Sequence, residues 1–187
     1  MVLVHLAVDE SNHGRDPEVV VGVFSTKDRD VCIKEKSGRD KLNEKRVDEF
    51  LRDKSRYMVS VAYPLSIAKE GDLLPVVKAI PLMIREYLGN GHIPVSFNIL
   101  IDGDVKNGSL DELKHDISQF ENVDIDKISY FPKKDRSEGR YGYNDLLEMA
   151  DWLARDVYQR YYRKNMLNGI ELLAGSDVLR MGNGRAK

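Results

Sequence analysis

The chain has a single cysteine, a single tryptophan, six prolines and no long apolar run. One thiol, Cys32, excludes an internal disulfide framework and fits a reducing cytosol. With no His or Asp adjacent to it, Cys32 reads as a small core or surface residue. A membrane helix needs about 20 apolar residues, and no window approaches that. The apolar stretch at residues 2–8 is too short for a signal peptide and lacks a basic leader, so a cytoplasmic protein without membrane association is expected. Internal repeats, low-complexity tracts and a Pro/Gly-rich linker are missing too. So are a Gly-rich phosphate loop, a Cys/His zinc spacing and a Gly-x-Ser-x-Gly nucleophile elbow.

Neither sign of charge is in large excess. Lys and Arg number 29 against 31 Asp and Glu, for a net charge of −2. That balance argues against a generic polyanion binder. The distribution is less even. Basic residues crowd 27–56 and 155–187, while acids gather in 111–126 and at two strand ends described below. Basic flanks around an acidic centre suit a phosphate-containing substrate held near a metal.

At 187 residues and 42% hydrophobic content, the chain supports one domain with a sizeable core. Residues 1–165 are expected to form it, with 166–187 a partly flexible C-terminal extension that frays from Met181 onward. Strands are expected at Val2–Val8, Glu18–Ser25, near Val31–Ile33, at Met58–Ala62, at Val95–Ile101 and at Ile128–Phe131. The first two should pair antiparallel across the turn-prone Asn12–Pro17. Helices are expected over Lys41–Lys54, Asp72–Leu88, Ser109–Phe120 and Tyr143–Tyr162. Pro75 is tolerable in a first turn, Pro81 should kink its helix, and Ser109 with Glu112 suggests an N-cap. Leu146, Ala150, Leu153, Val157 and Tyr161 form the buried stripe of the last helix. An antiparallel meander followed by strand–helix crossovers implies a mixed α/β sheet with helices on both faces.

The first strand runs directly into Asp9-Glu10, and the Val95–Ile101 strand ends on Asp102-Gly103-Asp104. Buried carboxylates repel one another and lose hydration, so folding does not favour them without a compensating charge. Parallel neighbouring strands would bring these acids to one sheet edge, where α/β proteins place their sites. Oxygen-only ligands suit Mg²⁺ or Mn²⁺. In a regular strand Asp9 and Glu10 point to opposite faces, so a bend would have to turn one of them. A further ligand is expected after the last strand: Asp135, or Asp151 at the edge of the apolar stripe of the last helix. Plainer roles compete at several positions. Asp151 can pair with Arg155 at i+4, Asp135 can be a loop acid between Lys134 and Arg136, and Asp104 can be a turn residue. His5 reads as a satisfied core histidine. His13, in the loop beside the acids, is a turn residue or a proton shuttle. Trp152, Tyr158, Tyr161 and Tyr162 suit an interface, a base-stacking surface or ordinary packing.

These residues resemble a divergent ribonuclease HII, a family of the RNase H-like superfamily. Val8-Asp9-Glu10-Ser11-Asn12-His13-Gly14 is similar to its Asp-Glu-Ala-Gly-Arg-Gly segment, and Val19–Val23 to the strand that follows. Lys36–Arg46 resembles its Asp-Ser-Lys-x-Leu-Ser-x-x-x-Arg region. Leu100-Ile101-Asp102-Gly103 resembles its Val-Asp-Gly strand end, and Lys134-Asp135-Arg136-Ser137 its Lys-Gly-Asp-Ser. Ala154-Arg155-Asp156 sits where the family has Ala-Lys-x-x-Arg-Asp. The resemblance implies a mixed five-stranded sheet of three antiparallel strands and then parallel crossovers. It implies a catalytic set of Asp9, Glu10, Asp102 and Asp135. A second group of RNase H-like domains opens with Asp-Glu-Ser and ends in a Gln-x-Ala-Asp-x-x-Ala helix, similar to Glu148–Ala154, and implies Asp151 as the last ligand instead. The ribose-reading Gly-Arg-Gly is replaced by Asn12-His13-Gly14, and the region supplying a substrate-reading tyrosine is largely absent.

The expected activity is metal-dependent hydrolysis of nucleic-acid phosphodiesters, with RNA, DNA and an RNA/DNA hybrid all open as the substrate. Mg²⁺ or Mn²⁺ would be held by Asp9, Glu10, Asp102 and Asp135 or Asp151. Asn12, His13, Lys133, Lys134 and Arg136 would contact substrate, and Arg39, Lys41 and Arg46 would extend the phosphate track. The rivals are a catalytically silent module that binds nucleic acid or protein, and a hydrolase of small phosphates.

Overall fold

The computed structural model describes residues 1–11, 16–33, 44–64, 75–89, 94–103, 105, 107–131, 144–163 and 169–175. Strands β1 (Val2–Ser11), β2 (Glu18–Ser25), β3 (Arg56–Tyr63), β4 (Val95–Asp102), β5 (Val123–Phe131) and β6 (Glu171–Ala174) form one sheet in the order β5-β4-β1-β2-β3-β6. Helices α1 (Glu44–Arg52), α2 (Pro75–Leu88), α3 (Asn107–Ser118) and α4 (Asp145–Val157) pack against it. β1 pairs antiparallel with β2, and β2 with β3, whereas β4 and β5 join in parallel. This is the mixed α/β architecture expected of the chain, widened by one strand.

That strand is β6, which lies beyond residue 165 and pairs antiparallel with the outer edge of β3. A second difference lies at residues 28–33. Asp28–Val31 is a 3₁₀ turn instead of the start of a strand, and the third antiparallel strand is β3. The turn is fixed by a buried ion pair. Arg56 donates two hydrogen bonds of 2.8 Å to the Asp30 carboxylate, and the Ser25 hydroxyl donates a third at 2.6 Å. The Arg56 guanidinium also stacks 3.8 Å above the Phe50 ring. Burial alone would raise the Asp30 carboxyl, but Arg56 and Ser25 overcome it and hold it below its ordinary value.

Strand alternation sorts the core into two layers. On one face, called A, Leu6, Val8, Val20, Val61 and Ile99 meet Ile80 and Met83 of α2 and Leu113 of α3. On the other, face B, Ala7, Val21, Val23, Met58 and Leu100 meet Phe50 of α1 and Leu146, Ala150 and Leu153 of α4. Every residue of β2 is buried, which explains its β-branched run: the strand is central and covered on both sides. Gly22 permits the close approach of α2, since a Cβ there would lie 2.5 Å from Met83 Sδ. Pro75 opens α2 and Pro81 is carried inside it. Residue 72, the expected start of that helix, lies outside the described residues.

Two local expectations are corrected at helix ends. α3 begins at Asn107, so Ser109 is a buried residue inside the helix instead of its cap. α4 is capped by Asn144, whose side-chain oxygen accepts from Leu147 N at 2.9 Å. At its far end the helix widens into a π turn over Tyr158–Tyr162, marked by the 3.0 Å bond from Arg163 N to Tyr158 O. Five-residue spacing carries the apolar stripe from Val157 to Tyr162, so Tyr162 is buried and Tyr161 is only half-buried.

Candidate functional site

β1 remains paired with β2 as far as Ser11↔Val19, so no bend interrupts its alternation. Asp9 therefore faces B with Ala7, and Glu10 faces A with Val8. β4 runs parallel to β1 with Val8 beside Ile101. One step further along each strand stand Asp9 and Asp102, lateral neighbours on face B. Each is only 5% exposed. β4 stops at Asp102 because Gly103 adopts φ 129°, a conformation that suits glycine, and Gly103 N donates to Phe131 O at the end of β5 (3.1 Å). The convergence expected for the two aspartates is present in the fold.

α4 lies across face B and brings Asp151 against Asp9, close enough for the two carboxyls to share a hydrogen bond. Burial is the largest influence on Asp9. With the Asp151 carboxylate it pushes the group up to about 8, against the pull of the Glu10 backbone N–H, which donates to Asp9 Oδ1 at 2.8 Å. Near neutral pH Asp9 thus keeps a proton. Arg155 Nη2 donates to both Asp151 oxygens, one at 2.6 Å. The i+4 salt bridge and the position beside Asp9 are both realised at Asp151. Among the described residues, no group of three or more His, Cys, Asp or Glu side chains is gathered closely enough to hold a metal ion.

Asn12, His13, Asp104, Lys133, Lys134, Asp135 and Arg136 lie outside the described residues, as do Arg39 and Lys41 and the side chain of Arg46. His5 is a satisfied core histidine. Its Nδ1 accepts from Asn98 Nδ2 at 3.1 Å, and its Nε2 meets Asp28 Oδ1 at 3.0 Å. Trp152, Tyr158 and Tyr161 are half-buried against the face B core. At the same sheet edge as the aspartates lies a buried acid that was not singled out from the sequence: Glu18, 1% exposed, which opens β2. Its only signal was a charged residue leading a fully apolar strand. Among the described residues, no helix is long and apolar enough to cross a membrane.

No protein-family model and no curated protein matches the chain. Among solved structures it is similar to a chain in the PCNA:RNase HII complex from Archaeoglobus fulgidus, with 16% identity and a TM-score of 0.45. That match covers 86% of this chain and 74% of the other. It is also similar to Bst-RNase HIII in complex with Mn²⁺, with 16% identity and a TM-score of 0.46. A mutant form of Bst-RNase HIII gives 14% and 0.46. In both of these the match covers 84% of this chain and 52% of the other, so the chain spans about half the length of those proteins.

Proposed function

We propose that the protein is an RNase H-like nuclease that hydrolyses phosphodiesters in RNA or an RNA/DNA hybrid with divalent cations. The observation that carries this reading is the pairing of Asp9 and Asp102 on one face, both buried at the carboxyl edge of parallel strands, with Asp151 pressed against the first. Repulsion between Asp9 and Asp151 costs the apoprotein stability, and a hard dication among those oxygens would relieve it. The donor chemistry therefore fits Mg²⁺ or Mn²⁺. Asp9 and Asp102 would begin the shell of the cation, and Asp135, outside the described residues, or Asp151 would complete it.

When bound, such ions supply an activated water and stabilise the leaving oxygen. The chain's own residues supply the rest. Asp9 would have to be ionised to hold a cation. The adjoining strands hold Asp9 and Asp102 rigidly, which limits reorganisation during turnover. Asn12, His13, Lys133, Lys134 and Arg136 would hold the substrate strand by its phosphates and sugar.

The test is cleavage of an end-labelled RNA/DNA hybrid, with duplex DNA, single-stranded RNA and a mononucleotide alongside. Cleavage with Mg²⁺ or Mn²⁺, abolished by EDTA and by Asp102→Asn, supports the reading. Metal-independent binding without cleavage in both proteins identifies a silent binding module instead. Hydrolysis of the mononucleotide alone identifies a small-phosphate hydrolase.

A further inference from the structure

β5 ends the sheet, and among the described residues nothing pairs with its outer side. No residue of the strand is fully buried, and Tyr130 is 43% exposed. Two bonds on the inner side fix which way its backbone faces. Asn122 O accepts from Val95 N at 2.9 Å, and Phe131 O from Gly103 N at 3.1 Å. Alternation on either side of the bulge opposite Phe97 and Asn98 then turns the N–H groups of Ile125, Ile128 and Tyr130 outward. Ile125 N donates to its neighbour's carboxylate, Asp124 Oδ1, at 2.8 Å. From Lys127 to Phe131 the register is unbroken, so this half of the edge is a regular template for another strand.

Charge decides what could pair there. Residues 111–126, which run from α3 into β5, hold six acids and one lysine, all exposed. α3 packs against β5, so these acids flank the open edge. Lys127 is the one cation of the strand itself. A second copy joined edge to edge would set Asp124 and Asp126 against their own counterparts. The same field repels nucleic acid. We propose that the outer edge of β5 docks an extended, basic segment of a partner protein, which adds to the sheet as a further strand. Its main chain pairs at Ile128 and Tyr130, and its Lys or Arg side chains meet Asp124 and Asp126. This surface stands apart from the Asp9 and Asp102 site and does not depend on the proposed function.

The experiment titrates the isotope-labelled protein with a short peptide alternating Lys and Val, read by NMR amide signals and their exchange with solvent. One control peptide has Glu in place of Lys. Another is N-methylated at alternate residues, which removes the donors a new strand needs. The basic peptide should shift the β5 signals and slow exchange at Ile128 and Tyr130, and neither control should do so. Joint Asp124→Asn and Asp126→Asn should weaken binding roughly two- to tenfold, the scale of two exposed ion pairs. Tyr130→Pro removes an outward N–H without touching the ladder to β4, and should weaken it as well. Equal binding by the N-methylated peptide reduces the contact to attraction by the acids and overturns the inference. So does an absence of change at β5 with the basic peptide. Outward amides protected in step with protein concentration identify a second copy as the occupant, and β5 signals that shift only with an RNA/DNA hybrid identify nucleic acid; either result overturns it too.

Discussion

Replacing Asp9 by Asn should stabilise the metal-free protein in mildly alkaline buffer. Burial and Asp151 push the Asp9 carboxyl up to about 8, whereas an unfolded chain titrates it at about 3.9. Between those values the folded protein holds a proton that the unfolded chain has released. Wild-type stability therefore falls as pH rises through this window, by at most about 1.4 kcal/mol per pH unit. From about pH 5 to about pH 8 the ceiling is about 4 kcal/mol. Asp151 is one-third exposed, so solvent screens its effect on Asp9, and the realised loss should be on the order of 2 kcal/mol. An amide at position 9 can still accept from Glu10 N and can donate to Asp151, but it does not titrate. Urea unfolding in EDTA, repeated across that range, reads the difference. Asp9→Asn should match the wild type near pH 5 and exceed it near pH 8. An equal pH slope in both proteins, or a variant weaker than wild type near pH 8, would refute the reasoning about this carboxyl pair.

Two further substitutions probe how the frame is held. Arg56→Ala strands the buried Asp30 carboxylate and should cost about 3–5 kcal/mol at neutral pH, measured by chemical denaturation. Asp30 titrates lower in the folded protein. Its contribution is thus present above the ordinary carboxylate range and is lost as pH falls through the folded value, so the deficit of Arg56→Ala should shrink in acid. Asn144→Ala removes the cap of α4 and should cost about 1 kcal/mol, with faster amide exchange confined to the first turn of that helix.

The convergence of Asp9 and Asp102 was legible because it needs only local patterns: two apolar runs, each ending on an acid, in an order that makes them parallel neighbours. The edge position of Asp151 followed equally from the helical wheel of α4. Features set by distant contacts were not legible. Asp30 and Arg56 are 26 residues apart and nothing near either one signals the other, so the apolar Val31-Cys32-Ile33 read as a strand. The π turn shifts burial from Tyr161 to Tyr162 with no sequence cue beyond a run of aromatics. β6 carries only four residues, and its pairing depends on the exposed edge of β3, not on its own periodicity. The regular continuation of β1 to Ser11 depended likewise on its ladder with β2, and it sets Glu10 on the face away from Asp9.

The most direct test of the central claim is thermal unfolding in EDTA, Mg²⁺ and Mn²⁺ for the wild type and Asp102→Asn. A ligand that binds only the folded state raises the midpoint in proportion to its affinity. The account predicts a cation-dependent rise in the wild type that is lost in Asp102→Asn. A wild type whose midpoint ignores both cations at millimolar concentration, or a rise that Asp102→Asn retains in full, would contradict it.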